Sequence, residues 1–231
     1  MKHITLIFLT LALLVGCQSK GIGGYWNHHS IDYSDISAAQ EQFADYAELA
    51  SAAPEKEALA SLDNLFDKLL KDEVAYYIYT QWIDGAFYNI LSPCRNEALY
   101  FKAVERMVKD GVLTPSDCEP YLQKREWFQY NLKGQAATVP GAVISERTLV
   151  LVLDTSCPSC REALTSLASR PEFTNLKKIA ICCGYGSIPN VEGWDYLKPD
   201  NAESVFDIKM TPVYFVVSPD GVVEQNYALA L

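Results

Sequence analysis

The chain has 231 residues, 49% of them hydrophobic, with 29 acidic against 19 basic side chains and a formal charge of −10. That much apolar material supports real cores in one large or two small domains, and disorder is not the default expectation. The acidic balance argues against nucleic acid as a partner.

The amino terminus reads as an export signal. Lys2 supplies a short positive start, Ile4 to Leu14 form an apolar stretch too short to span a bilayer as an ordinary helix, and Leu14-Val15-Gly16-Cys17 follows. The ending "LVGC" resembles the bacterial lipobox, which implies cleavage before Cys17 and lipid attachment to that residue. The anchor would be acyl chains rather than a spanning helix, and no later stretch reaches the roughly 18 consecutive apolar residues that a span requires. Residues 1–16 are therefore expected as signal peptide and 17–34, with "QSKGIGG", as a flexible tether. Gln18 is not the aspartate that retains many lipoproteins at the inner membrane. The expected location is thus the bacterial cell envelope, lipid-anchored at the periplasm-facing outer membrane.

From residue 35 to 134 the pattern is helical. Pro54 opens "PEKEALASLDNLFDKLLKD", in which Leu59, Leu62, Phe66 and Leu69 fall at spacings of three and four and make one apolar stripe. Val74 to Leu91 carries apolar and aromatic residues around more than one face and reads as the most buried helix, ended by Ser92-Pro93. "RNEALYFKAVERMVKDG" stops at Gly111, and "TPSDCEPYLQKREWFQYNLKG" starts with Thr114 as cap and Pro115 at the first helical position. Helix packing accounts for the aromatic residues of this half, although an aromatic recognition groove is the other reading.

After Gly134 the periodicity changes. "TLVLVLD" (148–154) predicts a strand buried on both faces, Cys160 to Ala168 a helix, and "KKIAICCG" (177–184) a second buried strand. "VYFVVSPDGVVEQNYAL" (213–229) predicts a hairpin turning at Pro219-Asp220-Gly221. Strand, helix, strand and hairpin describe an α/β unit over 135–231, preceded by an all-α helical domain.

Seven cysteines would be many for a reducing compartment, and an exported chain meets an oxidising or mixed one. With Cys17 set aside for lipid, the others are Cys94, Cys118, Cys157, Cys160, Cys182 and Cys183. Cys157 stands at the start of a predicted helix, where unpaired amides and the helix dipole favour thiolate over thiol. Pro158 suits the first helical position, and Cys160, one turn on, can reach back to Cys157. Such a pair supports thiol–disulfide exchange, in which one thiolate attacks and the second resolves the mixed disulfide.

Here the sequence resembles the thioredoxin superfamily, in particular membrane-anchored thioredoxin-like proteins of the TlpA/ResA type. The resemblance rests on "LVLVLDTSCPSCREAL" and "FDIKMTPVYFVVSPDGVV" and covers roughly 148–231. It implies a thioredoxin-like domain with a central mixed sheet. It also implies that Cys157 is the exposed nucleophile and Cys160 the resolving thiol. Pro212 would be a cis-proline whose neighbour Thr211 offers backbone to the substrate strand. "SPCRNEALY" joined to a CxxC domain is similar to Bacteroidetes thioredoxin-like lipoproteins with an uncharacterised helical region. The implied activity is membrane-anchored thiol–disulfide oxidoreduction on protein disulfides, as reductant or isomerase, with an envelope redox partner and no cofactor.

Two departures weigh on that reading. The tryptophan usual before the first cysteine is Ser156 here, and the buried aspartate usual six residues before it is Leu151. Asp154 is the nearest acid and reads as a solvated strand-end residue or a substitute. The alternative function is a non-enzymatic envelope lipoprotein whose helical domain binds a partner protein or ligand. A zinc site from Cys157, Cys160, Cys182 and Cys183 is disfavoured because adjacent strand residues point to opposite faces. Cys94 and Cys118 are left as either a structural disulfide or two buried thiols. Successive helix starts in an antiparallel pair lie at opposite ends, while an exported location favours pairing.

Overall fold

The computed structural model describes residues 21–230; the expected signal peptide and Cys17 lie outside the described residues. The helical half consists of α1 (Tyr25–His28), α2 (Ile36–Ala52), α3 (Glu55–Leu69), α4 (Glu73–Ile83), α5 (Glu97–Asp110) and α6 (Pro115–Phe128). Local chemistry sets their starts. Side-chain oxygens of Asp35, Asp72 and Asn96 accept from the first-turn amides of α2, α4 and α5, and Thr114 and Asp117 form a reciprocal capping box on α6. Gly111 ends α5 at φ +68°, a left-handed conformation that glycine adopts without a Cβ clash.

The apolar faces meet in one core. Leu62, Phe66 and Leu69 of the α3 stripe are fully buried, Leu59 partly so, and they pack with Tyr76, Tyr79 and Ile83 of α4 and Tyr100, Val104 and Met107 of α5. Each buried aromatic residue of this size removes a large apolar area from water. Arg106 of α5 crosses to α3 inside this arrangement, bonding Asp63 and Asp67.

Three sequence expectations differ here. Residues 21–34, expected as tether, join the core from Ile22 onward, with Trp26 of α1 1% exposed against Tyr46 and Tyr79. The helix expected over Val74–Leu91 leaves α geometry at Ile83. A π-helical turn, Asp84–Tyr88, follows, closed by the Asn89 amide on the Asp84 carbonyl at 3.3 Å. Tyr100 Oη and Lys124 Nζ both bond the Asp84 carboxylate, and the widened turn sends Phe87 and Tyr88 into the core. The last helix stops at Phe128 rather than near Gly134. Asn131 takes φ +56° there and its side-chain amide satisfies both backbone groups of Thr138, closing the connection to the second half.

The second half is a five-stranded mixed sheet in the order β3-β2-β1-β4-β5. Its strands are β1 (Thr148–Asp154), β2 (Lys177–Cys183), β3 (Asp195–Leu197), β4 (Val213–Val217) and β5 (Val223–Leu229). β1 runs parallel to β2 and antiparallel to β4, and β4 and β5 form the expected hairpin. β1 is central and buried on both faces, which its unbroken apolar run requires. Leu149, Leu151 and Leu153 face α7 (Pro158–Ser169), packing with Cys160, Leu164 and Leu167. Val150 and Val152 face the other way, toward Val205, Phe206 and Phe215. Ile90 and Tyr130, in the turns that follow the π turn and α6, pack onto that second face, and the segments 139–144 and 202–208 cover more of it. Among the described residues no helix is long and apolar enough to cross a membrane.

Candidate functional site: the thiol pair at the start of helix α7

β1 ends at Asp154 and the chain turns at once into α7. The turn is fixed to its neighbours at several points. The Thr155 amide and hydroxyl both donate to the Cys183 carbonyl at 2.9 Å, tying the loop to the end of β2. Asp154 Oδ1 accepts from the Ser156 amide at 2.8 Å and the Ser156 hydroxyl at 2.7 Å, and the Cys157 amide donates to the Asp154 carbonyl at 3.1 Å. Asp154 is thus a half-buried brace of the loop, which corrects the reading of it as a solvated residue. One of its carboxylate oxygens is committed to Ser156.

Cys157 is the N-cap of α7, in extended conformation at φ −86° and ψ 120°, with Pro158 as the first helical residue. Its Sγ lies 3.0 Å from Ser159 Oγ and is partly exposed. The Ser159 hydroxyl is the main reason that the Cys157 thiol sits below its ordinary value; burial opposes it, and the Cys160 thiol and the amides of residues 159 and 160 add to the lowering. Cys160, one turn on, is 1% exposed. Burial first, then the neighbouring Cys157, push its thiol up to about 12, with the Asp154 backbone and the Thr211 side chain pulling the other way. Two thiols three residues apart are therefore chemically unlike: one poised to ionise in contact with solvent, the other held protonated underneath.

Thr211 reaches this pair from the opposite end of the domain sequence. A short turn, Ile208–Met210, is capped by Asp207, which accepts from the Lys209 amide at 3.0 Å, and Thr211 Oγ1 donates to the Ile208 carbonyl at 2.7 Å. The Thr211–Pro212 peptide is cis, and β4 begins at the next residue. The structure thus brings Cys157, Cys160, Thr211 and Pro212 together at one end of the sheet.

The remaining cysteines lie elsewhere. Cys182 is buried on the α7 side of the sheet and Cys183 on the opposite side, where burial pushes their thiols up to about 11 and about 12. Cys94 and Cys118 are free and buried in separate surroundings. Cys118 Sγ donates to the Met107 carbonyl at 3.6 Å, while Cys94 lines a groove with Phe43, Ala47 and Trp82. Of the two readings left open for them, the structure has the pair of buried thiols. Ser159 lies inside the motif but nothing in the spacing marks it, and the role of Asp207 needs the fold.

A family model described as "Domain of unknown function (DUF5106)" matches residues 24–131, the helical half. No curated protein matches the chain. Among solved structures the chain is similar to a thioredoxin-like protein from Bacteroides caccae ATCC 43185. The TM-score is 0.71 at 19% sequence identity, covering 100% of this chain and 96% of that one. At this identity the likeness speaks for the fold, and it runs through both halves. The chain has a thioredoxin-like fold preceded by a helical region.

Proposed function

We propose that the chain is a membrane-anchored thiol–disulfide oxidoreductase of the cell envelope, related to the TlpA/ResA type, that acts on protein disulfides as reductant or isomerase. The observation that carries this reading is the contrast between Cys157, lowered and accessible, and Cys160, buried and raised to about 12. A structural pair has no need of one exposed, lowered thiol, whereas a nucleophile is served by it and its resolving partner has to stand one turn away, as Cys160 does.

In the reductive direction the Cys157 thiolate attacks one sulfur of a substrate disulfide. A Cys157–substrate S–S bond forms, the substrate S–S bond breaks, and the departing thiolate takes a proton from water. Cys160 then gives up its proton to solvent water or hydroxide and attacks the Cys157 sulfur. The Cys157–Cys160 disulfide forms, and the second substrate thiolate leaves and is protonated. Two electrons have passed to the substrate, and a dithiol protein of the envelope restores the reduced pair. In isomerisation a further substrate cysteine resolves the mixed disulfide and no net electrons pass. Thr211, beside Cys160, offers its backbone to the substrate strand, and Cys17 carries the lipid that keeps the domain at the membrane.

Trapping in cells tests the scheme. Cys160→Ala leaves Cys157 able to attack and unable to be released, so mixed disulfides accumulate on non-reducing gels after acid quenching. Cys157→Ala gives none. Equal adducts from both variants contradict the assigned roles.

A further inference from the structure

The loop that follows β2 is built against the loop that precedes the nucleophile. Gly184 has φ +76°, and a Cβ there would stand 2.6 Å from Asp154 Oδ1. A Cβ on Gly186 would stand 2.5 Å from the Thr155 carbonyl oxygen and 3.0 Å from the Ser156 nitrogen. At Gly186 a Cβ would meet fixed backbone, and at Gly184 the left-handed φ favours glycine while the Asp154 carboxylate stands close, so the chain on both sides of Tyr185 lies near the Asp154–Ser156 segment. The Thr155 bonds to the Cys183 carbonyl, both at 2.9 Å, fix the same two segments to each other just upstream.

Between those glycines Tyr185 is 102% exposed, the most exposed large hydrophobic residue of the described chain, next to Val143 at 90%. Its ring contributes nothing to either core. It is held on a braced loop rather than a loose one, one residue from the backbone that touches Ser156, and Ser156 is one residue from Cys157. The close contact of Gly186 with Ser156 keeps the Tyr185 and Cys157 backbones within the reach of about four extended residues, on the order of 13 Å at most. Ser156 is itself small and exposed, so nothing large on that residue blocks the approach.

We propose that Tyr185 is a specificity-determining contact of the thiol site, its ring packing on an apolar side chain that flanks the disulfide cysteine of a protein substrate. The inference rests on the oxidoreductase reading and adds the substrate class. Protein disulfides exposed with an apolar neighbour, as in misfolded or partly unfolded chains, gain an aromatic contact at the moment that the cysteine meets Cys157. Small disulfides gain nothing from it.

The test uses reduced protein and three disulfides: two short peptide dimers that differ only in having Leu or Ser before the cysteine, and hydroxyethyl disulfide. Wild-type protein reduces the Leu peptide about tenfold faster than the Ser peptide. Tyr185→Ala loses most of that ratio through the Leu peptide, and its rate on hydroxyethyl disulfide does not follow. Tyr185→Phe keeps the ratio, because the ring and not the hydroxyl makes the contact. A wild-type protein without the preference, or a Tyr185→Ala protein that retains it, overturns the role of Tyr185 and leaves the redox chemistry standing. A wild-type protein that reduces none of the three overturns the oxidoreductase reading and this inference with it.

Discussion

Tyr88 of the helical half donates its hydroxyl to Asp207 Oδ2 at 2.9 Å, a buried bond across 119 residues of sequence. Asp207 caps the turn that delivers Thr211 to Cys160, so the helical half is bonded to the segment that builds the thiol site. Burial first, then the charge of Asp207, push the Tyr88 phenol upward, which keeps it a donor at any ordinary pH. Around the bond, Arg95 stacks 4.0 Å over the Phe128 ring and donates to the Tyr88 carbonyl, and Trp127 Nε1 donates to the Glu203 carbonyl at 2.8 Å.

Removing that donor has a defined cost. Tyr88→Phe takes the hydroxyl from a buried carboxylate oxygen and is expected to lower unfolding stability by about 1–3 kcal/mol. Denaturant titration checks this, and a midpoint equal to that of wild type contradicts it.

Glycine contacts near the thiols separate steric need from mere flexibility. Gly186→Ala puts a Cβ 2.5 Å from a backbone oxygen, which cannot rotate aside. The expected loss is about 1–3 kcal/mol, together with a changed Cys157 alkylation rate as the Thr155–Ser156 segment shifts. Gly85→Ala is the contrast, since nothing lies within 4 Å of its added Cβ. That variant is expected to be neutral or to stabilise by up to about 1 kcal/mol. Similar losses in both variants would show that the close packing of the 184–186 loop is not what the glycines serve.

Arg106 supplies a test in the helical core. Its side chain is 7% exposed and reaches Asp63 at 2.9 Å, Asp67 at 2.8 Å and Asp110 at 3.1 Å, and Asp110 is itself 5% exposed. Arg106→Met leaves the Asp110 carboxylate buried without its cation and is expected to cost about 3–5 kcal/mol. Lys102, which meets Asp63 from a more open position at 3.3 Å, is expected to matter by less than about 1 kcal/mol when changed to Ala. Thermal melts of the two variants decide.

Much of the second half was legible because its strands announce themselves. Thr148–Asp154 is an apolar run long enough for a strand and too short for a helix, and Pro219-Asp220-Gly221 marks the hairpin turn. In the helical half, caps at Thr114 and Gly111 were readable because each acts on its own neighbours in sequence. The π turn at Asp84–Tyr88 was not, since it depends on Tyr100 and Lys124 meeting Asp84 from other helices. Trp26 was hidden for the same reason: nothing local in "GIGGYWNHH" says that a core lies beside it. Cys157 and Cys160 could be picked out by spacing. Their difference in chemistry could not, because it comes from the burial of Cys160 under the sheet end and from the rotamer that brings the Ser159 hydroxyl to Cys157.

The difference between those two thiols is the centre of the account, and pH-dependent alkylation of the reduced protein measures it directly. A neutral alkylating reagent, with each cysteine mapped by mass spectrometry, reads the thiolate fraction site by site. Cys157 is lowered, so its rate rises with pH and levels off with a midpoint below the ordinary 9.0, while Cys160 stays unlabelled until far more alkaline pH, near its value of about 12. Ser159→Ala removes the largest cause of the lowering, moves the Cys157 midpoint upward and slows its labelling at neutral pH. A Cys157 midpoint at or above 9.0, or equal labelling of Cys157 and Cys160, contradicts the account and favours the alternative in which the helical half binds a partner and the thiols exchange no disulfides.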